Sequence, residues 1–237
     1  LIMKLGINID HIATIRNARG YNDSNSLIRA ASICAKNKVD ILTVHLREDR
    51  RHIKDKDLMV IKKNSKIPIN LEMALTKEMI DIVKKIKPSY ICLVPEKRKE
   101  ITTEGGIDIN KISKNLLKSL TQFCTKQNIS LSAFIDPNKE QILLAKKYKF
   151  DTVEIHTGSL ENKIISKKIF LKISNAIHFA YSQNLIVNAG HGLNFNNIQY
   201  LQNKNLINAL HIGHFVIFES IFESLDKVIK KLKKIIK

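Results

Sequence analysis

Gly6-Ile7-Asn8-Ile9-Asp10-His11 sets the pattern for this 237-residue chain. It reads as a short apolar β-strand that ends in side chains able to exchange protons. Amphipathic stretches of helical spacing separate it from further runs of the same kind. These seven runs are Ile41-Leu42-Thr43-Val44-His45, Ile67-Pro68-Ile69-Asn70-Leu71-Glu72, Ile91-Cys92-Leu93-Val94-Pro95-Glu96, Leu131-Ser132-Ala133-Phe134-Ile135-Asp136, Thr152-Val153-Glu154-Ile155-His156, Leu185-Ile186-Val187-Asn188-Ala189 and Leu210-His211-Ile212-Gly213-His214. Eight strand–helix units predict an α/β fold, the (β/α)8 TIM barrel.

The barrel prediction also says where chemistry would occur. In barrels of this class the reactive groups gather at the carboxyl ends of the strands, so we expect an enzyme with its site at that rim. The chain length suits one barrel domain over residues 1–237. No apolar run approaches the roughly 18 residues of a membrane helix. We therefore expect a cytoplasmic protein that has no membrane partner.

The formal net charge of +18 raises the question of nucleic-acid binding. However, the lysines are scattered over every helical stretch, as the codon bias of an AT-rich genome would produce. The chain has no tryptophan and only 6% aromatic residues, which leaves few platforms for base stacking. We expect no nucleic-acid partner, although anionic substrates could exploit the positive field.

The cysteines and histidines give no metal-binding pattern. Cys34, Cys92 and Cys124 are far apart and odd in number, so we interpret them as small buried hydrophobes. Three separate rim histidines together with Glu72 could in principle hold zinc. The usual paired-histidine spacings do not occur in the sequence, and we expect no required metal.

The segment that leaves the second strand is the most densely functional part of the chain. His45-Leu46-Arg47-Glu48-Asp49-Arg50-Arg51-His52 could be only a solvated loop. At the carboxyl end of a barrel strand, its arginines instead suit phosphate oxygens. His45, nearest the strand, would face the barrel axis and can exchange protons near neutral pH.

Carboxylates at the strand ends are candidate acid–base groups. Burial at the end of its strand should raise the pKa of Glu72, although a structural ion pair is the alternative. Glu154 shares a strand face with His156, and we expect that face to point inward. Asn8 and Asp10 likewise share a face at the mouth of the barrel.

The last two units carry glycines where barrels often bind phosphate. Gly190-His191-Gly192 follows strand seven, and Gly213-His214 ends strand eight and opens the final helix. His191 is well placed as a proton donor. Residues 97–108 form a longer connection that predicts either a lid or an ordinary surface loop. Arg16 and Arg19, in the loop and turn after strand one, could reach an anionic substrate or lie on the surface.

Helical periodicity and capping residues give the remaining elements. Asp136-Pro137 predicts a helix start, because Asp can cap and Pro suits the first turn. The last helix is predicted as one continuous element. The predicted helices are 24–36, 55–64, 76–86, 110–126, 136–148, 164–183, 194–203 and 215–236.

Taken together, these motifs resemble the pyridoxine 5'-phosphate synthase family, whose members close the pyridine ring in deoxyxylulose 5-phosphate-dependent vitamin B6 biosynthesis. The resemblance covers essentially the whole chain. It is carried by residues 8–14, 16–20, 43–53, 70–74, 93–98, 102–106, 154–158, 187–193 and 212–214.

The resemblance implies a transferase-class enzyme that joins 1-deoxy-D-xylulose 5-phosphate to 3-amino-2-oxopropyl phosphate. The products would be pyridoxine 5'-phosphate, inorganic phosphate and water. His45 and Glu72 would be general bases, His191 the general acid and Glu154 a transition-state stabiliser. Substrate contacts would come from Asn8, Asp10, His11, Arg19, Arg47, His52, Thr102, Gly192, Gly213 and His214.

The same resemblance implies a barrel with extra helical elements, no organic cofactor or metal, and a homo-octamer built from four dimers. The nearest alternative is another phosphosugar-converting TIM barrel of isomerase or aldolase type. An aldolase would usually need a Schiff-base lysine at a strand end, and no predicted strand ends in one. A basic nucleic-acid-binding protein and an inactive scaffold are the alternatives outside enzymes.

Overall fold

The computed structural model describes residues 3–96, 105–161, 166–201 and 204–237. Eight parallel strands form a closed barrel in chain order, and each strand pairs with its neighbours in sequence. The predicted TIM barrel is therefore confirmed. The strands are β1 Lys4–Asn8, β2 Ile41–His45, β3 Ile69–Met73, β4 Tyr90–Leu93, β5 Ser130–Ile135, β6 Thr152–His156, β7 Ile186–Gly190 and β8 Ala209–Ile212.

The strand register sets the heights of the functional side chains. His45 of β2 lies beside Glu72 of β3, and Glu154 of β6 lies beside Asn188 of β7. On β1, Leu5 and Ile7 alternate with Gly6 and Asn8 and are fully buried in the main core. A regular parallel sheet with this alternation delivers the polar residues to one end of the barrel.

Helices surround the barrel, and in the described ranges none is both long and apolar enough to cross a membrane. Cys34, Cys92 and Cys124 are buried, as predicted. The helices are α1 Asp10–Ala18, α2 Asn25–Lys36, α3 Asp55–Asn64, α4 Lys77–Ile86, α5 Lys114–Gln127, α6 Lys139–Lys147, α7 Lys167–Ser182, α8 His214–Glu223 and α9 Leu225–Ile235.

Four local predictions were wrong. The residues after β1 form helix α1, where a loop was expected. Asn138, and not Asp136, caps α6, because the Asp136 carboxylate instead pairs with His156. The last helix breaks into α8 and α9 at Ser224, whose φ of 72° lies in the left-handed region. In the described part of 194–203, a 3-10 turn at Ile198–Tyr200 replaces the predicted helix.

A buried ion pair fixes α1 against α3. Both Arg16 Nη atoms donate to the Asp57 carboxylate at 2.7 Å. Ser24 Oγ and the Lys54 backbone N–H donate to the same carboxylate. Burial alone would raise the pKa of Asp57, but these hydrogen bonds and the Arg16 charge lower it. Arg16 is thus committed to structure and does not reach a substrate.

We predict that Asp57→Asn lowers the free energy of unfolding by about 3 to 5 kcal/mol, because it leaves the Arg16 guanidinium buried without an anion. Urea denaturation measures the change. Asp81→Asn is the control, since solvent screens the exposed Asp81–Lys84 pair and its loss should change stability little. Equal losses in the two variants would show that the buried pair has no special role.

Candidate active site

A cavity of about 450 Å³ opens at the carboxyl ends of the strands. Every predicted site residue except Arg19 and Thr102 lines it. Arg19 is exposed at the end of α1, outside the lining, and Thr102 lies outside the described residues. The predicted residues in the lining are Asn8, Asp10, His11, His45, Arg47, His52, Glu72, Glu154, His191, Gly192, Gly213 and His214.

Asp10, His45 and Glu72 form the central acid–base cluster. One ligand-type atom of each lies within 4.8 Å of the others. The Asp10 carboxylate accepts the backbone N–H of His45 at 2.9 Å. Asn8 connects Glu72 to the Asp10 backbone, since its Nδ2 donates to the Glu72 carboxyl at 3.3 Å and its Oδ1 accepts the Asp10 backbone N–H at 2.8 Å. Strands β2 and β3 and the N-terminus of α1 thus deliver three proton-exchanging groups to one point.

The buried carboxyls of this site hold their protons unusually strongly. Burial, reinforced by the nearby charges of Glu154 and Asp10, raises the pKa of Glu72 well above its ordinary value. Burial also raises the pKa of Glu154 to about 8 and that of Asp10 to about 6. No lysine or arginine among the described residues forms an ion pair with Glu72 or Glu154. The sequence analysis offered two interpretations of Glu72, a raised pKa or a structural ion pair. The geometry agrees with the raised pKa and not with the ion pair.

Glu96 is a site residue that received no role from the sequence. Its Oε1 lies 2.9 Å from Nε2 of His45, and its Oε2 accepts the backbone N–H of Glu48 at 2.8 Å. Burial would raise the pKa of Glu96, but the hydrogen bond and charge of His45 lower it. An anionic Glu96 orients the His45 ring.

Three histidines and an arginine form a second group in the cavity. The His11 ring lies 5.1 Å from that of His214 and 6.0 Å from that of His52. Burial lowers the pKa of both His11 and His52 to about 4. In the described chain, His11 Nδ1 is buried without a hydrogen-bond partner. Arg47 is buried beside them, so the group offers a compact site for an anion.

The loop after β7 holds His191 in a strained backbone conformation. His191 has a φ of 75°, which non-glycine residues rarely adopt, and Gly192 follows with 68°. Thr157 Oγ1 donates to the carbonyls of Gly190 and His191 at 2.7 Å, and this contact fixes the turn. Strain of this kind is typical of functional sites.

The environment of His191 keeps its imidazole neutral. Burial, together with the adjacent His156, lowers the pKa of His191. The His156 ring packs edge-on at 5.1 Å, and its Nδ1 lies 2.9 Å from Oδ1 of Asp136. His156 therefore lies at the strand end as predicted, but it contacts His191 and is not part of the cavity lining.

Glycines bring backbone and side chains unusually close. A Cβ at position 190 would lie 2.2 Å from Oε1 of Glu154, so only glycine leaves room for that carboxyl. Gly213 lies at the N-terminus of α8, where His214 begins the helix. The free N–H groups and dipole of a helix N-terminus suit a phosphate.

Two further residues in the lining were not singled out by the sequence. His211 lies inside a recognised apolar run, but the strand alternation could not tell a structural histidine from a functional one. Glu161 lies in a turn after β6 with no motif to mark it.

Among the described residues, the group with metal-ligand spacing is Asp10, His45 and Glu72. The raised pKa of Glu72 makes it a weak metal ligand near neutral pH, so this group suits proton transfer better.

Comparison with known proteins identifies the family. The sequence profile described as "Pyridoxal phosphate biosynthesis protein PdxJ" matches residues 5–237. This chain belongs to the PdxJ family. The resemblance noted from the motifs is thereby confirmed.

Curated PdxJ relatives match the chain over nearly its full length. "Pyridoxine 5'-phosphate synthase" of Ehrlichia chaffeensis is 43% identical, over 98% of this chain and 96% of its own. The proteins of the same name from Prochlorococcus marinus strain AS9601 and Pelagibacter ubique are each 44% identical, over 98% of both chains.

Comparison with solved structures supports the barrel fold of this chain and says nothing more. 3-Hexulose-6-phosphate synthase has a TM-score of 0.65 at 13% identity, covering 99% of this chain and 100% of its own. A tryptophan synthase α-subunit from Pyrococcus furiosus has a TM-score of 0.66 at 13% identity, covering 98% and 97%. At such identities the likeness shows a shared barrel and nothing about the reaction.

We predict that Glu72→Gln stabilises the protein increasingly across the pH interval above 4.5. The folded state keeps the Glu72 proton above the ordinary value of 4.5, whereas the unfolded state releases it, so wild-type stability falls over that interval. Glutamine has no ionisable proton, so the variant does not lose stability in this way as the pH rises. Urea denaturation at several pH values gives the free energies.

Glu140→Gln serves as the matched control, because Glu140 is exposed in the first turn of α6. Its difference from wild type should change little with pH. A Glu72→Gln difference that is equally flat would show that Glu72 ionises normally in the folded chain.

Proposed function

We propose that this chain is a pyridoxine 5'-phosphate synthase. It condenses 1-deoxy-D-xylulose 5-phosphate with 3-amino-2-oxopropyl phosphate to give pyridoxine 5'-phosphate, phosphate and water. The observation that carries the proposal is the convergence of His45, Glu72, Glu154 and His191 on one cavity in a chain of the PdxJ family.

The chemistry of this condensation needs several proton-transfer groups. An amine attacks a ketone, the carbinolamine loses water, phosphate is eliminated, water adds and the ring closes. Each of these steps moves a proton, so bases and acids with pKa values near the working pH are useful. The cavity supplies carboxyls with raised pKa values beside imidazoles, as this sequence of steps requires.

The proposed roles follow from the electrostatics of each group. His45, oriented by Glu96, and the ionised fraction of Glu72 act as general bases. The raised pKa of Glu72 makes its carboxylate, once the proton has left, a stronger base. Glu154 stabilises the transition state. His191 acts as the general acid. Its pKa is low in the free protein, and the phosphate charges of bound substrates would raise it so that the ring gains a proton.

Two groups of residues account for the two substrate phosphates. Arg47, His52 and their neighbours form one candidate anion site. Gly192, with Gly213 and His214 at the N-terminus of α8, forms the other. The resemblance also assigns substrate contacts to Arg19 and Thr102, and these remain part of the proposal. The described lining contains no lysine, so a Schiff-base aldolase finds no support in the site.

The direct test is incubation of the purified chain with both phosphorylated substrates. Pyridine formation followed by absorbance, with release of one inorganic phosphate for each ring formed, is the expected outcome. Omission of either substrate should abolish both signals. Turnover of a different phosphosugar without pyridine formation would contradict the proposal.

We predict that Glu72→Gln lowers kcat by about 100-fold or more, because glutamine cannot accept a proton. The steady-state rate of pyridine formation measures the effect. Glu140→Gln should keep wild-type turnover. A Glu72→Gln enzyme that is folded by circular dichroism and fully active would remove Glu72 from the mechanism.

The assembly and location implied by the family resemblance belong to the same proposal. We place the enzyme in the cytoplasm as a homo-octamer of four dimers. Sedimentation velocity of the purified chain tests the assembly, and a stable monomer at micromolar concentration would contradict it.

A further inference from the structure

His211 is a buried histidine of the cavity that the proposed mechanism leaves without a role. Its ring extends across Gly6 of the neighbouring strand β1, and a Cβ at position 6 would lie 2.7 Å from Nδ1. This space lets His211 reach Thr43 on β2, where Nδ1 and Oγ1 are 2.9 Å apart. A histidine thus contacts a residue two strands away because a glycine stands between them.

Glu154 reaches His211 in the same manner. The Glu154 side chain of β6 leans over Gly190 of β7, and its Oε2 lies 3.9 Å from Nε2 of His211 on β8. Together the contacts form a line across the barrel from Glu154 through His211 to Thr43. His211 is therefore placed to act on the proposed transition-state stabiliser.

The neighbouring amides determine which nitrogen of His211 carries the proton. Asn188 Oδ1 accepts from Asn208 Nδ2 at 3.0 Å, which turns Asn188 Nδ2 toward His211 Nε2 at 3.5 Å. A donor at that position requires Nε2 to accept. The proton then lies on Nδ1 and is donated to Thr43 Oγ1, which also accepts from Asn70 Nδ2 at 3.4 Å.

We propose that Thr43 and Asn188 lock neutral His211 as its Nδ1-protonated tautomer, so that no N–H of the ring faces Glu154 to stabilise its carboxylate. The Glu154 carboxyl thereby stays neutral and free to donate a hydrogen bond. His211 is a positioning residue that acts through Glu154. A neutral carboxylic acid can donate a hydrogen bond to an oxygen that gains negative charge in the transition state. The inference rests on the proposed function only for the role of Glu154.

The ionisation of both groups fits this arrangement. Burial raises the pKa of Glu154 to about 8, and it lowers the pKa of His211 to about 4. The proton shared by this pair therefore lies on the carboxyl. Among the described residues, the ionisable groups that face Glu154 are Glu72 from β3, Cys92 from β4 and His211 from β8. Thr43 and Asn188, which face His211, are uncharged.

The first test is the tautomer itself, measured in the substrate-free wild-type enzyme by ¹⁵N NMR of its histidines, with His211→Asn used to assign the signals. We expect a neutral His211 with its proton on Nδ1 at pH 7. A proton on Nε2, or a doubly protonated ring, would overturn the proposal. This result does not depend on activity, so it stands apart from any failure to form pyridine.

The second test is Thr43→Val, which removes the acceptor for Nδ1–H at nearly constant volume. The His211 proton should move to Nε2 and be donated to Glu154, which stabilises the carboxylate. The alkaline limb of the pH–kcat profile, set by Glu154, should then shift about one unit to lower pH. Glu154 is active when protonated, so activity is present below its pKa and lost above it.

Two further variants separate this effect from a general change in packing. Thr43→Ser restores the hydroxyl and should return the alkaline limb toward its wild-type position. Thr152→Val makes the same change at another buried strand threonine, which contacts Ser130, and should not move the limb. An unmoved limb in Thr43→Val, or an equal shift in Thr152→Val, would overturn the role of His211.

Discussion

The burial of carboxyl groups at the mouth of a closed barrel is the constraint on which the site depends. Closure of eight parallel strands places Glu72 and Glu154 together, and no lysine or arginine among the described residues pairs with either. Water cannot solvate their charges and no cation compensates them, so protonation is the favourable solution. The barrel thereby converts ordinary glutamates into groups that exchange protons near neutral pH.

The surrounding side chains are consistent with this constraint. Asn8, Asn188 and Thr43 are uncharged polar partners that satisfy the buried groups without forcing ionisation. Gly6 and Gly190 provide the space that lets large polar side chains cross a strand. Where an anion is needed, it is kept at the rim, as with Glu96 beside His45. Uncharged partners around Glu72 and Glu154, with Arg47 as a buried cation in the same cavity, suit the proposed binding of two phosphates.

Much of this arrangement could be predicted from the sequence. Short segments show the alternation of side chains along a strand, and barrel active sites lie at the carboxyl ends of the strands. These two rules placed His45, Glu72 and Glu154 correctly in one cavity. Helix α1 was missed because Asp10 and His11 were interpreted as strand-end chemistry, and the break at Ser224 was missed because the apolar period continues through it. The contacts of His211 and Glu96 could not be predicted, since they depend on which residues meet across the closed barrel. Arg16 shows the same limit, because its partner Asp57 lies 41 positions away.

Infrared difference spectroscopy of the substrate-free enzyme measures the ionisation of these carboxyls most directly. The bands of protonated Glu72 and Glu154 can be assigned by their loss in Glu72→Gln and Glu154→Gln. Both bands should persist at pH 7, and the Glu154 band should disappear only as the pH rises through about 8. Disappearance of both bands by about pH 5, near the ordinary glutamate pKa, would contradict the account.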